Sequence, residues 1–224
     1  MLIKDILYPN TDIYRGIKVK KPTRLKENGC FVRAVWGKIT ENTDFTKNIS
    51  TLENGCWMGH SANALCNYLK QKTTNFELIC VDTFLGSITH SENDKKYLKF
   101  KHVYPQIYQE FLNRTKYFKN TQYICPFPQT STSAMAFFKV KNILFDYIVV
   151  DASHESLDIY LDLMSAWLIL KPNGIIVGDD FLWESVQCGL RTFLNEQKLN
   201  AYHWGNQYLI GKSPDFKLDI IRET

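Results

Sequence analysis

Short apolar runs alternate with helix-like patterns from about residue 48 to the end of the chain. The runs carry few polar residues on either side, which is typical of strands that are covered on both faces of a sheet. Glycine, proline and other turn residues bound most of the runs. We predict five buried strands, at residues 48–55, 76–83, 121–128, 145–152 and 175–180.

Between these strands, apolar residues recur at spacings of three and four, which predicts helices. One predicted helix covers residues 60–72, and the strongest pattern follows the fourth strand. We expect that second helix to end at the Lys-Pro-Asn-Gly sequence of residues 171–174. Its apolar stripe consists of Leu157, Tyr160, Leu161, Met164, Trp167 and Leu168.

The last two strand-like runs are separated only by Gly205 and Asn206. Two residues are too few for a crossover connection, so these two strands must be antiparallel. The pattern therefore predicts an α/β fold, with a doubly wound, mostly parallel, seven-stranded sheet that finishes in an antiparallel hairpin. A dinucleotide-binding sheet would instead continue with a parallel strand.

The first part of the chain has a different character. Residues 1–47 are polar and weakly patterned, with several turn signals. We predict that they form a cap or lid on the core built by residues 48–224, rather than a domain of their own.

Composition narrows the class of protein. The 224 residues are 45% apolar, carry a net charge of +4, and include six cysteines with no Cys-x-x-Cys pair. These features predict a reduced, cytoplasmic protein, because neither a disulfide framework nor a signal peptide nor a membrane span is recognisable. Basic residues are scattered, which makes a nucleic-acid partner unlikely. The sequence leaves homo-oligomer formation open.

Polar side chains and glycines stand at the ends of the predicted strands. Gly55 ends the first strand, Asp82 the second, Asp151 the fourth, and Asp179 and Asp180 the fifth. Ligands of open parallel sheets bind beyond the carboxyl ends of the strands. We therefore expect these residues to lie along one edge that faces a ligand.

The glycine loop and Asp82 together indicate an adenosyl ligand. Gly55 and Gly59 let the backbone approach a ligand at a helix start, and Asp82 could accept hydrogen bonds from a ribose diol. Each feature alone also fits an ordinary turn. The loop lacks the Gly-x-Gly-x-x-Gly spacing of dinucleotide-binding proteins.

Several blocks of the chain, taken in order, resemble class I S-adenosylmethionine (SAM)-dependent methyltransferases. The blocks are LENGCWMGHSA at 52–62, LICVDTFLGS at 78–87, DYIVVDASHES at 146–156, LKPNGIIVGDDF at 170–181, and the closing hairpin. The sequences at the ends of the fourth and fifth strands resemble those of the branch of this family that methylates hydroxyl groups of sugars and glycosylated natural products. Some members of that branch need a divalent metal.

The resemblance implies a cofactor site. Glu53, with Gly55 and Gly59, would line the methionine part of SAM, and Asp82 with Thr83 would hold the ribose. Ser131 would contact the adenine, and Asp151 would lie beside the cofactor. Asn54 departs from the family, which usually has an aliphatic residue there, so its polar group needs a partner.

The chemistry of methyl transfer gives the acids and the imidazole a role. A protonated alcohol is a poor nucleophile, and His154, three residues after Asp151, is the predicted base. His60 competes as a helix-start residue, and His90 could contact substrate from a lid. We expect Asp151 to share a site with only one of Asp179 and Asp180.

Close carboxylates repel each other unless a cation neutralises them. We therefore predict that Asp151, Asp179 and Asp180 bind a divalent ion such as Mg²⁺, which would also lower the pKa of a substrate hydroxyl. The alternative is that these aspartates cap a helix or hold a turn.

The sequence thus predicts a SAM-dependent O-methyltransferase acting on a sugar, a glycan or another polyhydroxylated small molecule. Two alternatives stay open. One is an NAD(P)-dependent oxidoreductase on a related sheet, and the other is a non-catalytic binding domain with this fold.

Overall fold

A computed structural model describes residues 1–22, 29–86, 100–217 and 222–223. Its centre is an eight-stranded sheet in the order β10-β8-β9-β7-β6-β1-β2-β5, and β3 and β4 form a small separate ribbon. The strands are β1 Ile49–Asn54, β2 Phe76–Asp82, β3 Phe100–Lys101, β4 Tyr104–Pro105, β5 Ile124–Pro128, β6 Phe145–Val150, β7 Leu170–Gly178, β8 Tyr202–Trp204, β9 Gln207–Gly211 and β10 Arg222–Glu223.

The pairing of the strands confirms the predicted sheet. β5, β2, β1, β6 and β7 are parallel neighbours, and β9 pairs antiparallel with both β7 and β8. Gly205 and Asn206 form the tight connection between β8 and β9, with Trp204 opposite Gln207. The two-residue strand β10 adds an unpredicted eighth member at the β8 edge.

Seven helices are assigned within the described residues. They are α1 Ile3–Leu7, α2 Arg33–Ile39, α3 His60–Leu69, α4 Ile107–Tyr117, α5 Ser131–Val140, α6 Ser156–Ile169 and α7 Glu184–Gln197. Of the five longest of these helices, α5 is missing from the sequence prediction. The Lys-Pro-Asn-Gly sequence follows the end of α6 but belongs to β7 rather than to a turn.

Alternate residues of each central strand enter two separate cores. Cys80 of β2 belongs to the core under α2, α3 and α4, whereas its neighbour Ile79 belongs to the core under α5, α6 and α7. Because both faces are covered, β2 and β6 are mostly apolar, which explains their runs in the sequence, whereas β1 buries several polar residues. Among the described residues, we find no helix with both the length and the apolar character that a bilayer crossing requires.

The predicted apolar stripe of α6 is only half right, because Tyr160, Met164 and Trp167 pack against the core while Leu157, Leu161 and Leu168 are exposed. The buried positions of this helix are Ile159, Asp162, Leu163, Ala166 and Ile169, while Leu157 is 67% exposed and Leu168 is 52% exposed. The helix is apolar around most of its circumference, so hydrophobic spacing alone could not identify the buried side.

The N-terminal residues pack directly against the core. The backbone N–H of Ile3 donates to Glu77 Oε2 at 2.8 Å, and the Tyr14 hydroxyl donates to the carbonyl oxygen of Ile124 at 2.8 Å. Val35 and Trp36 of α2 are fully buried in the first core. This part of the chain therefore contributes to the hydrophobic core as well as covering it.

Candidate functional site

Glu53 lies at the end of β1 and is buried, with 1% of its surface exposed. Its carboxyl group accepts a hydrogen bond from the hydroxyl of Ser61 in α3. Burial raises the pKa of Glu53 to about 8; the Ser61 bond opposes that shift, and the negative charge of Asp151 adds to it. A buried carboxyl group with few partners can accept a cationic ligand group such as an ammonium.

Gly55 and Gly59 both have left-handed backbones, with φ of 87° and 78°. A side chain at Gly55 would collide with the carbonyl oxygen of Asp151, 2.0 Å from the Cβ position, and one at Gly59 would press on Phe111 at 2.8 Å. The protein's own backbone therefore requires these glycines. This close approach brings the β1 loop against the end of β6.

A small cavity lies beside Glu53. Three of its lining residues, Cys30, Phe31 and Trp36, come from the N-terminal part of the chain. The side-chain amide of Gln207 in β9 donates to the carbonyl oxygen of Cys30 and fastens this segment to the sheet.

The Asp82 carboxylate at the end of β2 holds two loops. One oxygen accepts from the backbone N–H of Trp57 at 2.8 Å, and the other from the N–H of Phe84 at 2.6 Å. The Thr83 hydroxyl accepts from the N–H of Leu85 at 3.3 Å. The turn-forming role is therefore present.

Ser131 is the first residue of α5, and it lies close enough to the carboxyl group of Asp162 to lower the pKa of that group. The same carboxylate accepts from Asn54 Nδ2 at 3.0 Å, so Asp162 is the partner that the polar group of Asn54 required. Neither contact could be read from the sequence, because α5 and the inward direction of Asp162 were both missed. We call Asn54, Ser131 and Asp162 the Asp162 triad.

The fourth and fifth strand ends bring four polar residues together, which we call the rim cluster: Asp151, His154, Asp179 and Asp180. His154 Nε2 lies 2.8 Å from an oxygen of Asp180 and 3.7 Å from an oxygen of Asp151. The ring of Trp183 lies against His154, with the ring centres 4.7 Å apart. About a fifth of each of the His154, Asp151 and Asp180 side chains is exposed, so a ligand can reach them from solvent.

The pKa values in the rim cluster reflect crowded charge. Hydrogen bonding to Asp151 and Asp180 raises the pKa of His154 to about 10, and we take Asp180 as the stronger partner because it is nearer. Burial, and then the charges of Asp151 and Asp180, raises the pKa of Asp179 to about 7. The neighbouring carboxylates therefore favour the protonated form of the imidazole, which opposes its use as a base while they lie beside it.

Within the described residues, two overlapping sets of donor atoms could hold a metal ion. In one set the ligand atoms come from Asp151, His154 and Asp180, and in the other from Cys30, Asp151 and Asp179; within each they lie within 4.8 Å of one another. Carboxylate oxygens suit a hard divalent ion, so two of the three donors in each set fit Mg²⁺.

Each set pairs Asp151 with only one of Asp179 and Asp180, and the expectation that only one of them shares a site with Asp151 stays a prediction. Asp180 has a left-handed backbone with φ of 55°, so the alternation of an extended strand does not continue to this residue. Sequence reasoning also missed Cys30, whose approach from the N-terminal segment depends on tertiary packing. His60 is the first residue of α3, and His90 lies outside the described residues.

The chain is similar to known proteins both in sequence and in fold. A family model described as "Methyltransferase domain" matches residues 52–181, which is more than half of the chain. No functionally curated protein sequence matches significantly.

Solved structures share the fold at low sequence identity. An O-methyltransferase from Bacillus cereus in complex with SAH is 15% identical, with 82% of each chain covered and a TM-score of 0.53. The O-methyltransferase NovP is 10% identical, with 80% of this chain and 78% of that one covered and a TM-score of 0.58. TomG from Streptomyces achromogenes, an O-methyltransferase involved in tomaymycin synthesis and solved with SAM, is 13% identical, with 81% of each chain covered and a TM-score of 0.55.

Proposed function

Because this chain belongs to the methyltransferase-domain family, as its resemblance to class I SAM-dependent methyltransferases predicted, we propose that it is a SAM-dependent O-methyltransferase. The observation that carries the proposal is the rim cluster, which stands at the ends of β6 and β7 beside the β1 glycine loop. Carboxylates and an imidazole next to a cofactor loop are the groups that deprotonation of an alcohol needs.

In this proposal SAM lies across the carboxyl ends of β1 and β2. The buried Glu53 faces the ammonium of the methionine part, and Gly55 and Gly59 keep the loop close to it. Asp82 and Thr83 hold the ribose, and the start of α5 at Ser131 borders the adenine. Two hydrogen bonds already fix the Asp82 carboxylate, so a ribose diol would meet a preoriented acceptor.

Residues 1–47 act as the cap of the methyltransferase domain formed by residues 48–224. The cap residues Cys30 and Phe31 line the cavity next to Glu53. Because this cavity is small, we expect the segment around Cys30 to shift when the cofactor binds.

On the acceptor side, Asp151 and His154 stand where an alcohol would meet the methyl group. Asp151, together with Asp179 and Asp180, would hold a divalent ion such as Mg²⁺; when bound, the ion neutralises the carboxylates and polarises the acceptor hydroxyl. His154 serves as the base once its proton has been lost. The three carboxylates outnumber the single imidazole, which favours such a cation.

The acceptor in this proposal is a sugar or another polyhydroxylated small molecule. Trp183 contacts His154 and is 45% exposed, and the neighbouring Leu182 is 69% exposed. An exposed indole beside a base offers a flat apolar surface on which the face of a sugar ring can stack.

Calorimetry with S-adenosylhomocysteine (SAH), with and without Mg²⁺, tests this function. We expect SAH to bind and NAD to give no heat, whereas NAD binding without SAH binding would favour an oxidoreductase. Mass analysis of hydroxylated acceptors after incubation with labelled SAM then separates an enzyme from a binding domain. A protein that binds SAH but methylates none of a broad acceptor panel would contradict the enzymatic proposal.

A further inference from the structure

Asn206, in the connection between β8 and β9, makes three hydrogen bonds to the loop that follows β7. Its side-chain Nδ2 donates to Asp180 Oδ1 at 2.9 Å, and its side-chain oxygen accepts from the backbone N–H of Leu182 at 3.1 Å. Its backbone carbonyl oxygen accepts from the N–H of Phe181 at 2.9 Å. One residue of the antiparallel hairpin therefore holds three successive residues beyond the end of β7.

The turn itself does not require asparagine at this position. Of the two residues that connect β8 to β9, both within the described part of the chain, only Gly205 has a positive φ, of 57°. A two-residue connection with a positive φ only at its first residue needs glycine there but accepts most residues at the second. The side chain of Asn206 is therefore available for another role, and its hydrogen bonds lead to the loop after β7.

The loop after β7 contains a residue whose backbone must be held in place. Asp180 has a left-handed backbone, with φ of 55°, which is uncommon for residues other than glycine. Such a conformation persists where the surrounding structure fixes it. The hydrogen bonds that Asn206 makes to Asp180 and to Leu182 supply fixed contacts on this residue and just after it.

The bond from Asn206 also fixes the direction of the Asp180 carboxylate. Oδ1 accepts from Asn206 at 2.9 Å, and Oδ2 lies 2.8 Å from Nε2 of His154. Rotation about the terminal bond of an aspartate side chain is only weakly restricted by its own geometry. A hydrogen-bond partner for Oδ1 therefore keeps Oδ2 turned toward the imidazole.

We propose that Asn206 is a positioning residue, which holds the Asp180 carboxylate in the orientation that the rim cluster requires. The inference rests on the proposed function, in which Asp180 lies beside the base His154 and helps to bind a divalent ion. Removing a residue that orients a metal ligand typically lowers metal affinity or activity by about 10- to 100-fold. The proposed SAM site lies at the ends of β1 and β2, so the loss of Asn206 should leave SAH binding intact.

The first variant is Asn206→Leu, which keeps the approximate size of the side chain but removes its donor and its acceptor. Calorimetry with Mg²⁺ alone as the ligand should give a Kd about tenfold higher than that of the unmodified protein. The Kd for SAH should change by less than about twofold. A crystal structure of the variant should show the Asp180 carboxylate turned away, with Oδ2 beyond hydrogen-bond distance of His154.

Asn206→Asp is the second variant, in case Asn206→Leu does not fold. The new carboxylate can still accept from the N–H of Leu182, but it cannot donate to Asp180 and places a like charge beside it. The turn should therefore be kept, while the crystal structure should show the Asp180 carboxylate displaced from His154. A residue that served only to form the turn would tolerate this substitution without such a displacement.

Asn200→Leu is the matched control, because it makes the same substitution at an exposed position just before β8. It should keep the affinities of the unmodified protein for Mg²⁺ and for SAH. Three results would each overturn the positioning role: an unchanged contact between Asp180 and His154 in a folded Asn206 variant, unchanged Mg²⁺ affinity in Asn206→Leu, or equal losses of Mg²⁺ and SAH affinity. If the unmodified protein fails to bind SAH or Mg²⁺, that part of the proposed function is refuted, and the crystal structures alone decide the role of Asn206.

Discussion

The rim cluster and the Asp162 triad are two groups of polar residues close to the same strand ends. They differ in how the negative charge of their carboxylates is balanced. In the triad, one carboxylate receives a hydrogen bond from Asn54 and is sealed in the core beside Ser131. In the rim cluster, three carboxylates face one imidazole and remain partly exposed. The triad is complete within the protein, whereas the rim cluster retains excess negative charge for a cation or a reacting proton.

This difference shows why burial and a raised pKa are not sufficient to identify a catalytic residue. Burial raises the pKa of Asp162 to about 6 and that of Asp179 to about 7, so the two shifts are similar. What differs is the number of unsatisfied charges nearby and access from solvent. The following predictions test that distinction, from the largest expected effect to the smallest.

Asp151→Asn should have the largest effect. Because Asp151 belongs to both donor sets of the rim cluster, its loss should lower kcat by about 10³-fold while SAH affinity stays nearly intact. Steady-state kinetics and calorimetry measure the two quantities. The control is Asp146→Asn, the same substitution at the far end of β6, where the carboxylate bonds Ser50 and Lys171. Parallel losses of kcat and SAH affinity in Asp151→Asn would argue against a role in the chemical step.

His154→Gln should lower kcat by about 10²-fold, because glutamine keeps polar atoms near the carboxylates but cannot act as a base. SAH affinity should be unchanged, since His154 contacts the acceptor side. His60→Gln, at the start of α3, is the matched control. A variant at position 154 with full activity would leave proton removal to Asp151 or to a metal-bound group.

Mg²⁺ should stabilise the protein through the rim cluster alone. At about 100 times its Kd, a bound ion adds roughly 2.7 kcal/mol of stability, which corresponds to a rise in Tm of several degrees. Asp151→Asn should abolish this rise, and Asp162→Asn should retain it. Differential scanning calorimetry in the presence of Mg²⁺ or EDTA measures the effect, and an equal response of both variants would place the ion elsewhere.

The smallest effect concerns the pH dependence of stability. Since burial raises the pKa of Asp162 from 3.8 to about 6, the unfolded chain loses this proton first, and stability falls as pH rises through that window. The Asp162→Asn variant has no group at this position that ionises. Between pH 3.8 and about 6, its free energy of unfolding should therefore rise relative to that of the unmodified protein, by on the order of 1 kcal/mol per pH unit. Above that range the difference between the two proteins should stay constant. Urea unfolding at several pH values measures the difference. A constant difference across the window would mean that the Asp162 pKa is not raised.

The sheet could be predicted from the sequence because its signals are local. Strands covered on both faces are apolar along their whole length, and a two-residue connection permits only an antiparallel hairpin. The rim cluster followed from the same logic, since residues after parallel strands must meet at one edge. The position of Asp151 relative to Asp179 and Asp180 was therefore implied by topology before any distance was known.

The sequence by itself determined the order of the five central strands along the chain, the reversed final strand, and the set of acids that end the central strands. Only the tertiary structure decided the presence of α5, which side of α6 is buried, that Cys30 reaches Asp151, and that Asp162 binds Asn54. The physical reason is range: strand and turn patterns are set by neighbouring residues, whereas these contacts join segments far apart in the chain and depend on how whole layers pack.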